Sequence, residues 1–126
     1  MMNSFEEVVD HFNTQGSLTK VSANELQSVR SDHAGIPEEY LRFLEVAGYG
    51  NLGDIQLYEG PTKAGTVYPN ASGRLADILL IGDDFQGYCF GFDPTDSWRI
   101  VEVSPRGEID TTVESEFLSL LDGYMQ

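Results

Sequence analysis

The stretch Tyr88-Cys89-Phe90-Gly91-Phe92, in which aromatic residues alternate with small ones, constrains this chain more than any other. Alternation with period two marks a strand, and here neither face of the strand is polar. A strand of this kind has to be covered on both sides, by helices on one and a loop on the other. Ile78, Leu79, Leu80 and Ile81 form an apolar run ahead of it, and residues 98–103 read as a further strand behind it. The links 82–87 and 94–97 are short and contain glycine or proline, which favours antiparallel neighbours. Residues 55–58 read as an earlier short strand. Pro105, Arg106 and Gly107 make a tight turn before a last one near Ile109.

Period two gives way to period 3.6 in three places. Phe5, Val8, Val9 and Phe12 stand at i, i+3, i+4 and i+7; so do Tyr40, Phe43, Leu44 and Ala47, and again Phe117, Leu120, Leu121 and Tyr124. Each set is one apolar stripe on a helix that has to bury it. Ser4 with Glu7, Ser22 with Glu25 and Thr111 with Glu114 fit S/T-x-x-E, in which hydroxyl and carboxylate satisfy orphan N–H groups reciprocally. Pro37 opens the Tyr40 helix, where its missing N–H is no loss, and Gly48 suits the left-handed cap beyond its end. A weaker helix spans 23–31. Helices, then strands, then a helix: the order specifies an α+β fold, with helices packed on a twisted antiparallel sheet.

With 126 residues the chain makes one domain, 1–126, able to bury a core without disulfides or metal. Its 21 acidic and 7 basic side chains leave a net charge of −14. Phosphate contacts need lysine and arginine, so direct binding of nucleic acid is excluded. The single Cys89 rules out an internal disulfide or a multi-cysteine zinc site and reads as a buried small hydrophobe. Residues 1–10 carry acids where a secretory signal carries bases, and no apolar run approaches the roughly 20 residues of a membrane span. The expected location is the cytoplasm.

Motifs for chemistry are sparse. Residues 48–53, Gly-Tyr-Gly-Asn-Leu-Gly, match G-x-G-x-x-G, but they close a helix and precede a strand, the reverse of the dinucleotide polarity. Asp83, Asp84, Asp93 and Asp96 flank the Tyr88 strand at its two ends. They lack the spacing of a calcium loop and read as turn formers. His11 and His33 have no hydrolase or metalloprotease motif beside them, and Asn70-Ala71-Ser72 is a glycosylation sequon by chance. Neither cofactor, metal nor catalytic residue is expected. The connection 59–76 holds Gly60, Pro61, Gly65, Pro69 and Gly73, and is either a functional loop or a ragged edge strand.

Ile36-Pro37-Glu38-Glu39-Tyr40 followed by Phe43-Leu44 and a glycine turn resembles the "LPxxYxxFL…G" opening of the SUKH (Smi/Knr-like) superfamily. Ile81-Gly82-Asp83-Asp84, Gly87, then Tyr88, Phe90, Phe92 and Asp93 resemble its "fGxDxxGxxyxfD" hairpin. Phe117, Leu120 and Leu121 resemble the closing "SFxxFL", with Glu116 in place of the serine. The resemblance spans 36–121. It departs at Ala47-Gly48-Tyr49-Gly50, where the family often has Asn-Gly, and in the loop after the first strand; both are places where partner choice varies. The resemblance implies an α+β fold, no catalysis, and one of two roles: a bacterial immunity protein that binds and blocks a toxin, or a regulatory module related to fungal cell-wall regulators.

The charge favours the first role, with a basic toxin domain, such as a nuclease, as the partner. Asp54, Glu59, Asp83, Asp84, Asp93 and Asp96 are the candidate acidic contacts. Tyr49, Tyr58 and Tyr68 are candidate aromatic anchors, with core packing as their alternative. An enzyme using a pair of carboxylates would need a deep pocket joining them.

Overall fold

The computed structural model describes residues 3–14, 17–111 and 116–125. Helix α1 (Phe5–Asn13) starts at a complete capping box: Ser4 Oγ accepts the Glu7 N–H at 3.2 Å, and Glu7 accepts the Ser4 N–H at 2.8 Å. Ser22 Oγ caps α2 (Ala23–Asp32) through the Glu25 N–H. Pro37 stands one position ahead of α3 (Glu38–Val46). Gly48 ends α3 at φ +115°, its N–H on the Phe43 carbonyl, and a Cβ there would lie 2.4 Å from the Thr19 carbonyl oxygen. The glycine motif is thus a helix stop, and Tyr49 beyond it exchanges backbone hydrogen bonds with Thr19.

Six strands follow, β1 (Gly50–Asn51), β2 (Gln56–Lys63), β3 (Leu79–Asp83), β4 (Cys89–Asp93), β5 (Arg99–Val103) and β6 (Ile109–Asp110). They pair in sequence order, every pair antiparallel, as a single meander. The structure is α+β, with the antiparallel sheet that the short links specify. Strand β2 runs past Tyr58 to Lys63 because its register against β3 slips between Leu57 and Thr62. Pro61 falls inside that bulge, where a missing N–H disrupts no ladder. The rest of 59–76 is also ordered: a single turn α4 (Ala64–Val67) and a 3-10 turn at Leu75–Asp77.

Both faces of the sheet are covered, unequally. One carries α1, α2, α3 and the closing α5 (Phe117–Asp122), whose Phe12, Leu26, Tyr40, Phe43, Phe117 and Leu121 bury against Ile81, Phe90, Phe92 and Ile100 of the sheet. Among the described residues the other carries the segment 64–78, with Ala64 and Ile78 packed on Leu80, Cys89, Val101 and Val103. Strand β4 supplies Phe90 and Phe92 to the first layer and Cys89 to the second, so it has no polar face.

Several elements differ in detail. Tyr88 and Trp98 precede their strands and lie in turns, with Trp98 at φ +60°. Helix α5 ends at Asp122, leaving Tyr124 half-buried beyond it. Glu114, proposed as half of the third capping box, lies outside the described residues. The first turn of α5 is instead held from afar: Glu39 accepts the Leu118 N–H at 2.9 Å.

Candidate functional site

The β3–β4 hairpin is built by two aspartates. Asp84 accepts the N–H groups of Gln86 and Tyr88 on one carboxylate oxygen, at 2.9 and 3.1 Å, and its own N–H reaches the Tyr88 carbonyl. Asp83 accepts the Phe85 N–H at 2.9 Å, the Tyr58 hydroxyl at 2.7 Å and the Gln56 amide at 3.1 Å. This closure forces Phe85 to φ +65° and leaves its ring 51% exposed. That conformation costs an L residue roughly 1–2 kcal/mol, and the ring gains little burial to offset it.

Phe85 edges a groove of about 540 Å³ on the thinly covered face. Tyr58, Tyr68, Cys89, Val67, Asp83 and Pro105 line it with Phe85. The Tyr68 hydroxyl donates to the carbonyls of Val103 and Ser104, pinning the 64–78 segment onto β5. Burial pushes the Tyr58 phenol well above its ordinary range, and the hydrogen bond to Asp83 adds to the shift. Burial does the same for Tyr68. Both hydroxyls therefore act as neutral donors.

The same end of the sheet is acidic. Asp54 is exposed in the β1–β2 turn, and Glu102 on β5 is pushed up by burial and by the charges of Asp110 and Asp84. Tyr124 is pushed up by burial, with Glu102, Asp84 and Asp54 adding to it, so these groups share one field. Among the described residues no lysine or arginine forms an ion pair with Asp54, Asp83, Asp84 or Glu102.

At the opposite end the charges are matched. Asp93, expected on a contact surface, is 0% exposed: it accepts Arg74 Nε at 2.7 Å, the Thr95 N–H at 3.0 Å and the Thr95 hydroxyl at 2.6 Å. Burial alone would raise its carboxyl, but the Thr95 and Arg74 donors outweigh it and hold the group below the usual range. Asp93 is structural, a correction with a simple cause: a carboxylate that accepts from three donors is stable when buried. Asp96 is exposed, 3.7 Å from Arg74 and 4.0 Å from Arg99.

Of the nine candidate residues, Tyr58, Tyr68 and Asp83 converge on the groove, and Asp54 and Asp84 share its end of the sheet. Glu59 lies apart, beside Glu25 and Val29 of α2. Tyr49 packs against the main core, and Asp93 and Asp96 are at the far end. The reading missed Phe85 and Val67. For Phe85 the signal was an aromatic residue inside an Asp-Asp-x-x-Gly turn, where nothing folds over it.

No helix among the described residues is long and apolar enough to cross a membrane. Fold and site together define an α+β domain, an antiparallel meander with one thick and one thin covering layer and an acidic, partly apolar hairpin end. No family model, curated protein or solved structure matches the chain.

Proposed function

We propose that this chain is a non-catalytic immunity protein of the SUKH type, which binds a basic toxin domain, such as a nuclease, in the cytoplasm and neutralises it. The observation that carries this reading is charge segregation. Arg74 and Arg99 gather at one end of the sheet beside Asp93 and Asp96, while at the hairpin end Asp54, Asp83, Asp84 and Glu102 form no ion pair with a lysine or arginine among the described residues, Arg106 of the β5–β6 turn included. A one-sided negative field raises the encounter rate with a basic protein by roughly 10–1,000-fold at low salt. The resemblance supports the reading through Pro37 ahead of α3, Tyr40 and Phe43 in the core, and Asp83 to Gly87 in the acidic hairpin.

The test is co-expression with a toxin domain encoded beside the gene in the native organism, scored by growth, together with affinity capture at low and high salt. Protection, with salt-sensitive capture of that domain, is the expected result. No protection, with capture of a housekeeping complex, would overturn the reading in favour of a regulatory module.

A further inference from the structure

We infer that the groove beneath Phe85 is the specificity pocket for the partner, taking a protein segment that inserts an arginine or lysine beside an apolar side chain. The inference rests on the neutralisation reading only for the identity of that partner.

Three observations carry it. The large hydrophobic residues most exposed among those described are Phe85 at 51%, Val67 at 44% and Tyr88 at 41%. Phe85 and Val67, brought together from the β3–β4 hairpin and from α4, both line this groove, and Tyr88 lies in the same hairpin as Phe85. Exposed apolar side chains scattered singly need no explanation, but their convergence on one concavity marks an interaction surface. Second, Asp83 is fixed by three neutral donors (the Gln56 amide, the Tyr58 hydroxyl and the Phe85 N–H) and by no cation. The Gln56 amide reaches both carboxylate oxygens, at 3.1 and 3.2 Å, so the roughly four acceptor positions are in use. Every donor is neutral, however, and the charge stays uncompensated, to be met by a cation beside it. Third, the other large grooves supply their own counter-charges. The one between α2 and α3 contains the Arg30–Glu38 pair, and the one beside Trp98 is lined by both Lys63 and Asp77. The smaller grooves beside Glu59 and beside Glu116 are also acidic but hold none of the exposed large hydrophobic side chains. Among the described residues it is therefore the Phe85 groove that joins such side chains to an uncompensated carboxylate, the complement of a basic side chain flanked by an apolar one.

The probe is the capped tripeptide acetyl-Leu-Arg-Phe-amide, titrated into the 15N-labelled full chain and followed by amide chemical shifts. Controls carry citrulline or glutamate in place of arginine; citrulline keeps the shape and hydrogen bonding without the charge. The expected result is shifts confined to Tyr58, Val67, Asp83, Phe85 and their neighbours, with the citrulline peptide about tenfold weaker and the glutamate peptide inert. Phe85→Asn, which suits a left-handed position, and Val67→Thr, which keeps the side-chain shape, are each expected to weaken the arginine peptide several-fold with the spectrum otherwise unchanged. Equal affinity for all three peptides, shifts centred elsewhere, or no binding at millimolar peptide would overturn the inference. Toxin protection separates the two readings. Full protection by both variants removes the groove and leaves neutralisation standing; loss of protection by every form, with the arginine peptide still bound, does the reverse.

Discussion

Replacing Asp93 by asparagine isolates the charge of the one buried carboxylate among the described residues while keeping its shape. Its partner Arg74 belongs to the segment 64–78 that covers the thin face, so the pair clips that cover to the end of β4. Breaking a buried ion pair costs about 3–5 kcal/mol, but the Arg74 side chain is 44% exposed and can rehydrate, which lowers the figure. Charge-assisted hydrogen bonds exceed neutral ones by about 1 kcal/mol each, and asparagine loses that margin at Arg74 and at Thr95. The expected loss at pH 7 is therefore about 2–3 kcal/mol. Its pH dependence follows from the depressed carboxyl of the folded state. That contribution is complete above the unfolded-chain value of about 3.9 and is lost as pH falls through the lower folded value. Urea denaturation of both proteins between pH 7 and pH 2.5 measures the gap, which is expected to be constant down to about pH 4 and then to close. A gap that persists unchanged into acid would assign the loss to packing instead of charge, and no gap at pH 7 would refute the clip.

Phe43 is fully buried and meets Phe12 and Phe117 edge-on, joining three helices, so Phe43→Ala is expected to cost about 3–5 kcal/mol in thermal or urea unfolding. The Tyr40 hydroxyl is buried with no hydrogen-bond partner among the described residues; Tyr40→Phe is expected to raise stability by about 1 kcal/mol, and a loss of that size would reveal a partner. Gly48→Ala places a Cβ against the Thr19 carbonyl at φ +115°, for an expected loss of about 2 kcal/mol or more by the same assay. Replacing Asp83 and Asp84 by asparagine, which removes two charges and keeps an acceptor oxygen for each turn hydrogen bond, is expected to slow toxin association and flatten its salt dependence; an unchanged stopped-flow rate at low salt would place the hairpin outside the interface.

The elements that were legible in the sequence are those whose signal is local. Stripes such as Phe5, Val8, Val9 and Phe12 mark a helix face within two turns, and a capping box needs only Ser4 and Glu7. The double-sided strand was equally plain, because Phe90, Phe92 and Cys89 carry their destinations in their own character. What escaped depends on distant partners. Asp93-Pro94-Thr95-Asp96 has the composition of an exposed turn, and Thr95 and Asp96 are exposed, but Arg74, 19 residues earlier in the chain, lets Asp93 be buried. The strand character of Gly60 and Pro61 depends on a bulge against β3, which no property of β2 announces. Tyr88 continues the aromatic alternation in sequence, yet its N–H is held by Asp84, and the chain is still turning there.

Charge distribution across the meander ties the fold to the proposed role. In an antiparallel sheet with sequential strands, every second turn falls at the same end, so the β1–β2, β3–β4 and β5–β6 turns gather Asp54, Asp83 and Asp84 with the 104–108 turn, while the β4–β5 turn lies opposite. Stability at that opposite end comes from pairing, with Arg74 and Arg99 placed against Asp93 and Asp96. The hairpin end is held by carboxylates that accept backbone and hydroxyl donors, which orders the turn without cancelling the charge. Its acids can therefore be both structural and free to attract. A turn closed by lysine–aspartate pairs would fold as well but would present no net field to a partner. Asp84, bonded among the described residues to N–H groups of its own turn, keeps its charge unspent by its role in folding, and the proposed binding draws on that charge.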